Sequence, residues 1–144
     1  MHIKFPVTVH LLLIRSRKVL LLRRHATGYM DGYYSLPAGH LDGGETVRKA
    51  GVREAREEIG VEIDPADMTF ACVFHRHEDE ERVDFFLHVH KWIGKPVNAE
   101  PGKCDEVRWV DIDSLPLNTI PYIKRAVEDV QEGIMYEEFG WRKE

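Results

Sequence analysis

The segment Arg53-Glu54-Ala55-Arg56-Glu57-Glu58 carries three carboxylates at i, i+3 and i+4. On a helix that spacing puts Glu54, Glu57 and Glu58 on one face. Like charges so placed repel and cost an isolated helix about 0.2–0.5 kcal/mol per pair. A divalent cation reverses the sign. Clustered hard oxygen ligands suit Mg²⁺, with Mn²⁺ as the alternative, because either ion shares its shell among carboxylates, waters and substrate phosphates. Taken alone, the same residues also describe a solvated helix face interleaved with Arg53 and Arg56, which is what most charged runs are.

The wider pattern separates these readings. It runs Gly39, five residues, Glu45, seven residues, Arg53-Glu54, Ala55, one residue, Glu57-Glu58, one residue, Gly60 and Val61. Seven fixed identities at ordinary residue frequencies arise by chance on the order of 10⁻⁸ per starting position. Residues 39–61 resemble the Nudix box, and the chain resembles the Nudix hydrolase family, in particular its MutT-like nucleoside-triphosphate pyrophosphohydrolases. The one departure is Ala55, where a larger aliphatic residue is usual in the family; it touches packing rather than chemistry.

The resemblance implies roles for individual residues. Glu57 and Glu58 become the principal metal ligands, with Glu54 and the Gly39 carbonyl completing the site. Glu45 and Arg53 hold helix and loop in register. Arg24 matches a phosphate-contacting arginine, and an arginine suits bidentate contact with phosphate. Glu100 is the first choice for an added loop carboxylate acting as general base, with Glu106 behind it. Asn118 matches a base-reading position, and an amide presents both a donor and an acceptor. The implied reaction is hydrolysis of a (deoxy)nucleoside triphosphate to monophosphate and pyrophosphate. The alternatives are an ADP-ribose or sugar-nucleotide substrate, and a noncatalytic nucleotide-sensing module. His77 stands where ADP-ribose members often carry a proline, and the intact box disfavours the sensor.

The elements that must position these residues are legible in outline. Residues 5–15 and 18–24 are apolar strands joined at Ser16-Arg17, a hairpin. Residues 25–35 form a loop. A helix runs from about Thr46 to Ile59 and stops at Gly60, with Val47, Ala50, Ala55 and Ile59 on its buried side. A second hairpin spans 68–77 and 82–92, where Val83, Phe85, Leu87 and Val89 alternate with Asp84, Phe86, His88 and His90. After a loop over 93–105 come a strand at 106–111 and a closing amphipathic helix from Pro121 to about Gly133. The expected fold is α+β, an α/β/α sandwich with a mixed sheet, as one domain over residues 1–144.

Composition bounds the rest. The net charge of −5 argues against a duplex nucleic-acid partner, whose affinity rests on cations, but admits a small anionic nucleotide beside a metal. No apolar run is long enough to span a bilayer, and the N-terminus lacks a signal-peptide pattern, so the expectation is a cytoplasmic protein with no membrane partner. Cys72 and Cys104 read as reduced thiols. His75, His77, His88 and His90 lie in the two arms of one hairpin and suit either a sheet face or a transition-metal site. Dimers are common in the family, which leaves a homodimer open.

Overall fold

The computed structural model describes residues 1–142, so the last two residues of the expected single domain lie outside the described residues. The first apolar strand, β1 (Val7–Arg15), turns through Ser16 and Arg17 into β2 (Lys18–Arg24). Both turn residues have positive φ, 51° and 60°. That is the two-residue hairpin geometry whose twist matches right-handed strands. Two short strands follow, β3 (Tyr34–Ser35) at the end of the expected 25–35 loop and β4 (Ala38–His40) just beyond it. Neither is long enough to show a period of two, which is why the sequence does not reveal them.

Helix α1 (Val47–Ile59) begins at Thr46, whose hydroxyl accepts the Lys49 N–H at 3.2 Å. It ends at Gly60, where φ is 68°, a left-handed cap that glycine enters without steric cost. Next come β5 (Met68–His77), β6 (Glu81–Val89) and β7 (Cys104–Asp111). Helix α2 (Pro121–Glu132) follows, and a further strand, β8 (Tyr136–Phe139), extends the chain beyond it. The expectation that the second helix closes the fold is therefore corrected. β8 is short, and its parallel pairing to β5 comes from tertiary contact.

The strands form one mixed sheet in the order β3-β2-β1-β6-β5-β8, with β4 on β1 and β7 on β2. β1 pairs with β6 in parallel, placing Thr8 beside Asp84 and His10 beside Phe86. On its other edge β1 meets β4 antiparallel, with Val9 opposite Gly39. Each face has its own core. Val9, Leu11, Leu13 and Leu87 pack under Ala50, Ala55 and Ile59 of α1. Leu12, Phe74 and Phe86 pack under Ile123, Ala126 and Val127 of α2. Sheet covered by a helix on each face is the expected sandwich. Among the described residues, no helix is long and apolar enough to cross a membrane.

The alternation in β6 holds at Leu87, His88 and Val89 but is reversed in its first half. Asp84, on the apparently polar face, is fully buried, while Val83 and Phe85 keep some exposure. A buried carboxylate is costly unless paired, and Asp84 is paired with residues from two other strands.

Replacing a fully buried isoleucine by alanine removes transfer energy and leaves a cavity. Ile123→Ala is expected to destabilise the fold by about 2–5 kcal/mol, read from denaturant unfolding. A change of only a few tenths would contradict the packing of α2 on the sheet.

Candidate active site

The box folds as strand, loop and helix, and the helix delivers its carboxylates to the strand. α1 lies so close to β4 that a Cβ on Gly39 would overlap the Glu54 carboxylate. A larger residue there would have to displace that carboxylate. On the same helix face, Glu58 Oε1 accepts the Ala38 N–H at 2.8 Å. Glu57 is half exposed and reaches toward Arg53 at 3.5 Å.

Arg53 ties loop to helix. Its Nη2 and Nε donate to the two oxygens of Glu45 at 2.7 and 3.2 Å. Nη2 also donates to the His40 carbonyl at 3.3 Å, and Nη1 to Glu54 Oε1 at 2.7 Å. One planar guanidinium thus fixes the loop carboxylate, the strand end and an α1 carboxylate together, a task for which lysine lacks the geometry.

The loop after β6 supplies the fourth acid. Its Val97 and Ala99 N–H groups donate to the Ile59 and Glu58 carbonyls, each at 3.0 Å. These are end carbonyls of α1 without helical partners, so the loop caps the helix. Asn98 then bends the chain: its amide donates to the Cys104 carbonyl at 2.7 Å and accepts the Glu100 N–H at 3.1 Å. The result sets Glu100 beside the α1 carboxylates. Sequence reading misses Asn98, because an asparagine in a Pro- and Gly-containing loop carries no signal of what it bonds.

A cavity of about 650 Å³ collects these groups. Gly39, Glu54, Glu57, Glu58, Glu100 and Arg24 all line it. Arg24 Nε donates to the Tyr29 carbonyl at 2.7 Å and Nη2 to Thr27 Oγ1 at 3.0 Å, which ties the 25–33 loop to the cavity wall that Thr27 and Tyr29 help line. Glu106, the second choice for the loop acid, lies outside the lining and accepts the Tyr34 hydroxyl at 2.7 Å. Asn118 is likewise not brought to the cavity: its amide donates to the Gly32 carbonyl at 2.8 Å, fastening one loop to another. The four hairpin histidines also stand elsewhere. His75 and His77 pack on Trp141, and the His88 and His90 rings lie 4.2 Å apart, tilted by 46°.

Electrostatics mark the carboxylate end as strained. Burial pushes the Glu58 carboxyl well above its ordinary value; the Ala38 N–H opposes this, and the charges of Glu54 and Glu100 add to it. Burial also raises Glu54, against the opposing Arg53 guanidinium, with Glu57 and Glu100 contributing. Among the described residues no three acidic, histidine or cysteine side chains are arranged to hold a metal ion as they stand. Glu54 and Glu58 are instead turned onto Arg53 and the Ala38 N–H. The donor set still fits a hard cation: oxygen ligands on one helix face, beside a carbonyl on a glycine strand that admits them.

The opposite wall holds a buried polar group that sequence reading does not assemble. Asp84 Oδ1 lies 3.0 Å from His10 Nε2, while Arg76 donates through Nε to Oδ2 at 2.7 Å and through Nη2 to Oδ1 at 3.3 Å. The Arg76 guanidinium carbon sits 3.6 Å from the centroid of the Tyr122 ring. Burial would raise Asp84, but hydrogen bonds from His10 and Arg76 outweigh it and hold the carboxyl at about 2. Burial lowers His10, against the pull of Asp84, so its imidazole is neutral near pH 7 and donates through Nε2. The available signals were His10 interrupting an apolar strand and Asp84 within an alternating one. Neither names the partner.

Residues 4–130 match the NUDIX domain family. The chain is 26% identical over 124 residues to the 8-oxo-dGTP diphosphatase of Escherichia coli (strain K12), covering 85% of this chain and 95% of that protein. It is 43% identical over 106 residues to the NAD-capped RNA hydrolase NudC of Pseudomonas aeruginosa (strain LESB58), covering 73% of this chain but 36% of that longer protein. Its fold matches the crystal structure of the MutT NUDIX hydrolase from Burkholderia pseudomallei with a TM-score of 0.79 at 27% identity, over 85% and 95% of the two chains.

The raised carboxyls give a pH test. A carboxyl whose folded value exceeds its unfolded value favours folding below the unfolded value, and that contribution is lost as pH rises through the folded one. Without cation the chain therefore loses stability on alkalisation, and Mg²⁺, which needs the ionised form, restores it. The gain in Tm from saturating Mg²⁺ is expected to be larger at about pH 8 than at about pH 5.5. Equal gains would contradict the site.

Proposed function

The chain belongs to the NUDIX domain family, and from that premise we propose that it hydrolyses nucleoside triphosphates to monophosphate and pyrophosphate at the Glu54–Glu57–Glu58 face. Cleavage of a phosphoanhydride bond in a nucleotide is the chemistry its family and relatives share. The observation that carries the proposal is one cavity in which three α1 carboxylates, Gly39 and Glu100 meet at one end and polar side chains line the other. Its volume of about 650 Å³ lies within the range of small-ligand pockets.

The residues fit a divalent cation, Mg²⁺ or Mn²⁺, held by Glu57 and Glu58 with Glu54 and the Gly39 carbonyl. The chemistry such a cation supplies is neutralisation of phosphate oxygens and acidification of a nearby water. The chain's own residues do the remainder. Glu100, held by the Asn98 turn, accepts the proton of the attacking water. Arg24 contacts phosphate while keeping the 25–33 loop in place. Arg53 and Glu45 keep the carboxylates aligned, and alignment plus electrostatics is most of phosphoryl-transfer catalysis. Glu106, engaged by Tyr34, takes no part.

The test is product identity. Incubation with a nucleoside triphosphate and Mg²⁺ is expected to yield phosphate signal only after inorganic pyrophosphatase is added, and none after exhaustive chelation. Direct release of orthophosphate, or undiminished turnover with chelator, would overturn the proposal. Glu57→Gln and Glu58→Gln should each lower kcat by more than about a hundredfold. Glu100→Gln should lower kcat with KM nearly unchanged, and Glu106→Gln should do neither. A large effect at Glu106 with none at Glu100 would move the general base to Glu106.

A further inference from the structure

The carboxylate face accounts for one end of the cavity; the other end is built of charge buried more deeply than stability alone asks for. Arg76 on β5 has a side chain only 4% exposed, and Asp84 on β6 is fully buried, yet Arg76 lines the same cavity as Gly39 and Glu58. A buried ion pair returns little net stability, since desolvation offsets most of its attraction. Something other than folding must explain a guanidinium kept on a cavity wall.

Its hydrogen bonds show what remains free. Nε and one N–H of Nη2 are used on Asp84. One face of the plane is covered by the Tyr122 ring. The end of the fork, where Nη1 and the second N–H of Nη2 point in parallel, faces Glu78 and the Tyr29 side chain rather than a bidentate acceptor. Nη1 forms an ion pair with Glu78 at 3.6 Å, longer than a hydrogen bond, and the Tyr29 side chain reaches the same guanidinium. Lateral packing fixes the plane and the bidentate acid fixes its rotation, so two parallel donors are held still.

The wall around it has further polar capacity. Among the described residues, Thr8 Oγ1 and His10 Nδ1 are buried without a partner, and both residues line this cavity. Because Nε2 of the neutral His10 ring donates to Asp84, Nδ1 carries a lone pair. Buried polar atoms left unpaired are rare in native proteins and call for an explanation such as a ligand or ordered water.

Position matches a nucleotide lying across the sheet. Next to Gly39 in β4 come β1, β6 and then β5, so Arg76 stands three strand spacings from the carboxylate end, about 14 Å laterally. Phosphates held at Gly39 and Glu58 leave the base to reach this wall.

Resting on the triphosphate reading above, we propose that Arg76, locked by Asp84 and Tyr122, is the specificity-determining residue, and that it selects a nucleobase presenting two adjacent hydrogen-bond acceptors. Guanine offers O6 and N7, the pair that arginine reads best in nucleic acids. Cytosine offers O2 and N3. Adenine and thymine or uracil alternate donor and acceptor along every free edge, so they meet one parallel N–H with another donor. An 8-oxoguanine base carries a proton on N7 and loses the pair there. Asn118, committed to Gly32, leaves this task to Arg76.

The experiment measures kcat/KM for pyrophosphate release from dGTP, dCTP, dATP, dTTP and 8-oxo-dGTP. Expected is a preference of at least about tenfold for dGTP or dCTP over dATP and dTTP, the scale of one bidentate contact. A dGTP preference should fall by at least about tenfold with 7-deaza-dGTP, which lacks the N7 acceptor, and with 8-oxo-dGTP; a dCTP preference should fall equally with the 3-deaza analogue. These analogue arms use the wild-type chain and need no variant to fold. Arg76→Lys, which keeps the charge but not the planar fork, should reduce the ratio of kcat/KM for the preferred base over dATP by at least about tenfold. Indifference to base, or preference for dATP, dTTP or 8-oxo-dGTP, would overturn the proposal while leaving the triphosphate reading intact. Failure to release pyrophosphate from any of the five would sink that reading instead.

Discussion

Repulsion among carboxylates is the constraint around which this fold is arranged. Two like charges about 4 Å apart near a protein surface repel by about 4 kcal/mol, and Glu54 and Glu58 are brought together on one helix with Glu100 set beside them. Arg53 answers Glu54, and the Ala38 N–H answers Glu58. Both answers depend on α1 lying close against β4, which the bare Gly39 allows. On the side facing the sheet, Ala50, Gly51 and Ala55 are buried, and a Cβ on Gly51 would meet Met68 and Leu11. Ala55, a departure from the usual box residue, is fully buried there, consistent with a packing role.

How much of this was legible depends on whether a feature is local in sequence. The box was, because its spacing is set by one helical period and one tight loop. The two hairpins, both helices and the Gly60 stop were legible for the same reason. The short strands β3 and β4 and the terminal β8 were not: two to four residues show no period, and their pairing is decided by distant partners. Glu100 and Glu106 were equally acidic in sequence. Only the Asn98 turn and the Tyr34 hydroxyl separate them. Asn118 looked like a base reader by position, but whether an amide faces a ligand or the Gly32 carbonyl is settled by the path of a loop more than eighty residues away.

The least legible feature is the pairing of His10, Arg76 and Asp84. Each residue is unremarked in its own strand, and the cluster exists because β1 runs parallel to β6 and β5 returns antiparallel beside it. The two ends of the cavity follow opposite electrostatic rules. At the α1 end, acids lack enough positive charge and their carboxyls rise, so a cation is welcome. At the β5 end, the acid is fully matched and held near 2, so the surrounding donors are fixed rather than reactive. A substrate with anionic phosphates at one end and a hydrogen-bonding base at the other satisfies both.

The central claim is that the α1 face binds a hard divalent cation through its own carboxylates. Mn²⁺ titration followed by electron paramagnetic resonance tests it without substrate or turnover. The account predicts saturable loss of the free-ion signal with the wild-type chain near neutral pH. It predicts much weaker binding in Glu58→Gln, with both proteins showing the same circular dichroism. Identical Mn²⁺ binding by the two, or none by the wild type, would contradict it.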